Sequence, residues 1–140
     1  MNRLEWRQRA ERWLEDAKIL LDNHRWSAAY YIAGYAVEFG LKACILARLG
    51  GSPEVIFESQ NSGKDCWTHN PNALLKQAGL KGLLDADMTA NPALGNNWLT
   101  VRDWIETARY EDSSEVVANE LYSAITDTPN GVMQWIRAHW

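Results

Sequence analysis

WSAAYYIAGYAVEFGLKACILARLG, from Trp26 to Gly50, is the stretch whose reading decides how this chain folds. It is apolar nearly all round, yet it carries Glu38 and Lys42 one helical turn apart near its middle. A helix with no polar face is buried, either in a protein core or in a bilayer. At about twenty residues the stretch is long enough to span a membrane. Two charges at mid-depth argue against that, at roughly 3 kcal/mol each in insertion measurements. The reading is a buried helix in a protein core, with no secretory leader ahead of it, because Met1 to Arg9 is charged throughout.

Outward from this helix, the chain punctuates itself with caps. Asn2 and Glu5 have the spacing of a capping box. Trp6, Ala10, Trp13, Leu14, Ala17, Leu20 and Leu21 then follow the 3–4 rhythm of an amphipathic helix. Asn23-His24-Arg25 ends that helix, and Ser27 is placed to cap the next. Gly50-Gly51 and Pro53 stop the central helix. So short a link between two long helices predicts an antiparallel hairpin.

Residues 51–70 are rich in turn formers and read as a long loop. Asn70-Pro71 and Asn91-Pro92 each pair a cap with proline at the first helical position. The first opens a short helix to about Gln77, closed by Gly79, and Leu80 to Asp87 adds a turn or two. The second opens a helix to about Glu106 with Leu94, Trp98, Val101 and Ile105 on one face. Ser113 or Ser114 caps a helix carrying Val117, Leu121, Ala124 and Ile125. Thr128-Pro129 predicts a fresh start for a last segment ending at His139. No stretch alternates as a strand does. The expectation is one all-α domain over residues 1–140, an antiparallel up-and-down bundle of four main helices plus short ones.

Composition narrows the function. The net charge of −4 excludes a surface coated with basic residues for gripping nucleic acid, though not a local basic patch. The two cysteines, Cys44 and Cys66, have no metal-ligand spacing and read as reduced thiols of a cytoplasmic protein. His24, His69 and His139 are scattered, and no phosphate-binding glycine loop or nucleophile elbow is present. No metal or cofactor is expected. Eight tryptophans are a heavy load, and Trp6, Trp13, Trp98, Trp104 and Trp135 at helical apolar positions belong to a core or subunit interface.

Two groups of residues carry chemistry. On the central helix Tyr31, Tyr35, Glu38 and Lys42 fall at i, i+4, i+7 and i+11, one continuous face. That face serves either as a structural pair with tyrosines at the bundle edge, or as a groove where a ligand or partner meets polar groups. Arg102, Arg109 and Tyr110 gather around the break before the last helices, where arginine suits a phosphate or a carboxylate. His69, just ahead of a helix start, reads as a capping or loop residue.

With these residues in view, the chain resembles the HEPN superfamily (higher eukaryotes and prokaryotes nucleotide-binding). The carriers are Trp26-Ser-x-x-Tyr-Tyr-x-x-Gly-Tyr-x-x-Glu-x-x-Leu-Lys-Ala, then His69-x-x-x-x-Leu-Leu, then Trp104-x-x-x-x-Arg109-Tyr110. The resemblance implies a bundle of four main helices, usually a homodimer. It also implies a link to RNA or nucleotides, often in defence or toxin–antitoxin systems beside a small nucleotidyltransferase. Many members are metal-independent ribonucleases built on Arg-x(4–6)-His. Here Thr107, Ala108 and Arg109 stand at the histidine positions counted from Arg102, and Ser114, Glu115 and Val116 at those counted from Arg109. What carries over is Glu38, Lys42, His69, Arg109 and Tyr110 as a binding groove. The expectation is a homodimeric module binding a nucleotide, RNA or a protein partner. The alternatives are a metal-independent ribonuclease with Arg109 on phosphate and His69 or Tyr110 in proton transfer, and a purely structural or adaptor protein.

Overall fold

The structure, a computed structural model, describes residues 1–50, 68–104 and 112–140. Among these residues there are seven helices and no β-strand. They are α1 (Arg3–Asp22), α2 (Trp26–Gly50), α3 (Pro71–Gln77), α4 (Lys81–Ala90), α5 (Pro92–Arg102), α6 (Glu115–Thr126) and α7 (Val132–Arg137).

The caps explain most of the boundaries. The Asn2 side chain accepts from the Glu5 N–H and the Glu5 carboxylate accepts from the Asn2 N–H, each at 2.8 Å, so the capping box is complete. α1 ends at Asn23, and His24 takes a left-handed φ of 59° that turns the chain back into α2. Asn70 caps α3 through the Ala73 N–H at 3.1 Å, and Gly79, at φ 72°, closes it. Ser114 caps α6 through the Val117 N–H at 3.2 Å.

α1 and α2 form the expected antiparallel hairpin. α1 buries Ala10, Leu14, Ala17 and Leu21, a stripe at 3–4 spacing. α2 is buried continuously from Ala33 to Leu46 because α1, α3, α6 and α7 all pack on it. Gly40 lets α7 come close: a Cβ there would sit 2.9 Å from Ile136 Cγ2. Asn130, between α6 and α7, accepts from Asn91 Nδ2 on its side chain and from Asn97 Nδ2 on its carbonyl, both at 2.8 Å. That clasp holds the α6–α7 connection against the start of α5.

Several boundaries differ from the sequence reading. Ser27 does not cap α2, which already begins at Trp26; its hydroxyl instead accepts the Ser113 N–H at 2.8 Å, tying the entry of α6 to the hairpin. α4 runs to Ala90, longer than a turn or two. α5 ends at Arg102 with Asp103 as its cap, short of Glu106, because Trp104 leaves the helix to enter the core. Ile105 and Glu106 lie outside the described residues. Val117 is 43% exposed, and Ala118 takes the inward position on α6. Pro129 does not open α7, which starts at Val132 after Gly131. His139 lies beyond the end of α7, and its ring packs on Trp135 with centroids 4.1 Å apart.

Candidate functional site

The two charges of α2 meet each other and a third group. Glu38 is 1% exposed and Lys42 5%, the buried charges among the described residues. Lys42 Nζ donates to Glu38 Oε1 at 2.7 Å, the i,i+4 pair that helical spacing dictates. Removing both from water costs several kcal/mol per ion, and the mutual attraction offsets this only with good geometry and further hydrogen bonds. His69 supplies one of these. Its Nδ1 lies 3.0 Å from Glu38 Oε2 and 3.2 Å from Oε1. A carboxylate only accepts, so the shared hydrogen belongs to Nδ1.

His69 is also the outlet of the group. Its side chain keeps 38% of its surface in solvent while the carboxylate that holds it is sealed. The imidazole reaches Glu38 because Asn70 caps α3 and fixes the extended approach of Thr68 and His69 to that helix. A carboxylate that fixes one nitrogen orients the ring and its tautomer.

Aromatic rings wall the group. Tyr35 packs on His69 with centroids 5.7 Å apart, on Tyr31 at 4.8 Å and edge-on to Trp104 at 5.2 Å. Trp6, from α1, lies under the Lys42 ammonium at 5.0 Å, a cation–π contact. Among the described residues no group of His, Cys, Asp and Glu could hold a metal ion. Cys44 stands apart. Burial pushes its thiol up to about 12, and its sulfur meets the Ile136 carbonyl at 3.8 Å.

The sequence-derived candidates divide accordingly. Tyr31, Tyr35, Glu38, Lys42 and His69 come together in one neighbourhood. Arg102 is exposed at the last residue of α5 and makes no hydrogen bond or ion pair with the described residues. Arg109 and Tyr110 lie outside the described residues, as do Cys66 and most of the 51–70 stretch. Trp6 and Trp104 belong to the neighbourhood as well. Helical spacing marked both as apolar core positions, and nothing local pointed to the Lys42 ammonium that Trp6 meets or to the Tyr35 ring that Trp104 meets.

Residues 4–56 match the family model of the HEPN domain. Over that span the chain is similar to the HEPN domain. No curated protein and no solved structure matches the chain. The HEPN match contains Trp6, Tyr31, Tyr35, Glu38 and Lys42, and it ends before His69. The imidazole is thus brought to a carboxylate of the matched span by a segment from outside it. No described helix is long and apolar enough to cross a membrane, in keeping with the charges that α2 carries.

Proposed function

We propose that this chain is a HEPN-type binding module for a nucleotide or RNA, with His69, oriented by Glu38 and Lys42, as its contact group. The observation that carries this reading is the division of labour at Glu38. A structural ion pair is complete with Lys42, whereas here the same sealed carboxylate also grips a histidine that reaches solvent. The part-exposed ring of Tyr31, backed by the buried Tyr35, supplies a face on which a base stacks. The net charge of −4 fits a contact with one or a few nucleotides better than a long electrostatic grip on a strand. Assembly as a homodimer, and work beside a nucleotidyltransferase in a toxin–antitoxin or defence system, follow from the HEPN likeness and belong to the same proposal.

A second reading has one observation in its favour. A histidine whose Nδ1 is held by a carboxylate is also the arrangement of a general base. In this version the chain is a metal-independent ribonuclease, with Arg109 as the phosphate ligand.

One experiment separates the two. Single-stranded RNA and tRNA are incubated with the purified protein without added metal, and binding is followed in parallel by fluorescence anisotropy. The binding module holds RNA or nucleotide, loses affinity in His69→Ala and leaves the RNA intact. Cleavage that disappears in both His69→Ala and Arg109→Ala establishes the nuclease instead. Affinity unchanged in His69→Ala removes His69 from the site.

A further inference from the structure

Hydrogen-bond donors outnumber acceptors along one edge of the α1–α2 seam. Arg3 Nε and Trp6 Nε1 are both shut off from solvent and have no hydrogen-bond partner among the described residues. They sit one turn apart on α1, so their side chains share a face of the helix. Trp6 carries the Lys42 ammonium over its ring at 5.0 Å, and of that ammonium's three hydrogens one has an acceptor, Glu38 Oε1. The Glu5 carboxylate, on the same turn as Arg3 and Trp6, is tied to the Asn2 N–H at 2.8 Å and does not fill the gap.

A buried donor without an acceptor destabilises the fold, and native proteins rarely leave two on one face. Fork, indole N–H and ammonium together suit the three oxygens of a phosphate monoester, which a carboxylate cannot fill. We propose that Arg3, Trp6 and Lys42 form a seat for a terminal phosphate, carried by a free nucleotide or by the end of an RNA. This rests on the nucleotide reading above and adds the part of the ligand that is gripped. Entry requires the half-exposed Arg3 side chain, on the first turn of α1, to re-aim its fork.

Calorimetric titration with inorganic phosphate, AMP, adenosine, and a short oligoribonucleotide with a 5′-phosphate or a 5′-hydroxyl tests the seat. AMP is expected to bind at least about tenfold tighter than adenosine, since a charged hydrogen bond is worth that much. If RNA ends are the source, the phosphorylated oligonucleotide shows the same advantage over its hydroxyl twin; if free nucleotides are, AMP alone shows it. Trp6→Phe keeps an aromatic ring and deletes the N–H together with the five-membered ring, and Arg3→Met keeps the stem and deletes the fork. Either change should abolish the phosphate advantage; Arg3→Met should do so without lowering the melting temperature, because an unsatisfied buried donor contributes no stability to lose, whereas Trp6→Phe also gives up indole packing on Phe39. Equal affinity for phosphorylated and unphosphorylated probes, or an advantage that survives in the double variant, overturns the seat and leaves the nucleotide reading standing. Phosphate bound as tightly as AMP and lost in both variants keeps the seat and removes the nucleotide. Absence of any binding refutes both.

Discussion

The indole of Trp104 lies flat against the bare backbone of Gly34. A Cβ at Gly34 would come within 2.1 Å of the Trp104 Cε2 and Nε1 atoms, inside any real contact distance. Trp104 is 1% exposed and edge-on to Tyr35, so the glycine on α2 is what lets the chain leaving α5 reach the candidate site. Gly34→Ala should therefore destabilise the protein by about 3 kcal/mol, the upper part of the range for overpacking a core. This outweighs the gain of up to about 1 kcal/mol that alanine brings to a helix interior. Urea denaturation checks it; a stabilised Gly34→Ala protein would mean that Trp104 is not seated there.

Breaking the buried pair from one side leaves an uncompensated charge. Glu38→Ala strands Lys42 in the core and should cost roughly 3–5 kcal/mol. The double change Glu38→Leu with Lys42→Met removes both charges and should recover most of that loss. A double-mutant cycle in urea reads the coupling. A single Glu38→Ala cost below about 1 kcal/mol, the level of an exposed pair, would contradict the burial of the group.

Asn70 should matter twice. Its side chain caps α3, and loss of such a cap costs about 1 kcal/mol. The same residue fixes the approach of His69 to Glu38, so Asn70→Ala should also weaken RNA or nucleotide binding under the proposed function. Asn70→Asp or Asn70→Ser keeps an acceptor and should restore both. Stability and anisotropy measured on the same three variants distinguish a cap from a ligand contact.

The Cys44 thiol gives a pH dependence with a fixed sign. Burial raises it from an ordinary 9.0 to about 12, so between those values the unfolded chain releases a proton that the folded one keeps. Stability from this group is intact below pH 9 and falls as pH rises toward 12, by at most about 1.4 kcal/mol per pH unit. Other groups titrate there as well, so the measurement is the stability of wild type minus that of Cys44→Ala across that interval. The difference should shrink steadily with pH. In a Cys66→Ser background, alkylation of the native protein at pH 8 should proceed no faster than unfolding.

Much of this was legible in the sequence, for reasons local to it. Asn2 with Glu5, Asn70 with Pro71 and Ser114 announce helix starts through chemistry confined to four residues. The stripe Tyr31–Tyr35–Glu38–Lys42 follows from the pitch of a single helix. The HEPN likeness, too, rests on the spacing within α2. What stayed hidden is non-local. Glu38 and His69 are 31 residues apart, and spacing gives no sign that they meet; only the HEPN resemblance put them in one groove. Ser27 looked like a cap because it precedes an apolar run, but the Ser113 N–H, 86 residues away, claims its hydroxyl. α5 stops at Arg102 because Trp104 is drawn into a gap that only the packed hairpin creates.

The position of α2 among four other helices has a consequence for motion. A helix with neighbours on every side has no face along which it can fray by itself, so its amide protons from Ala33 to Leu46 should exchange with solvent only through global unfolding. Glu38 sits in the middle of that span and is rigid by location. His69, held to it from the segment just ahead of α3, is then a part-exposed group fastened to an immobile post. A ligand that pulls on His69 cannot pass the displacement inward along α2; it must either be accommodated at α3 or be felt by the whole fold at once.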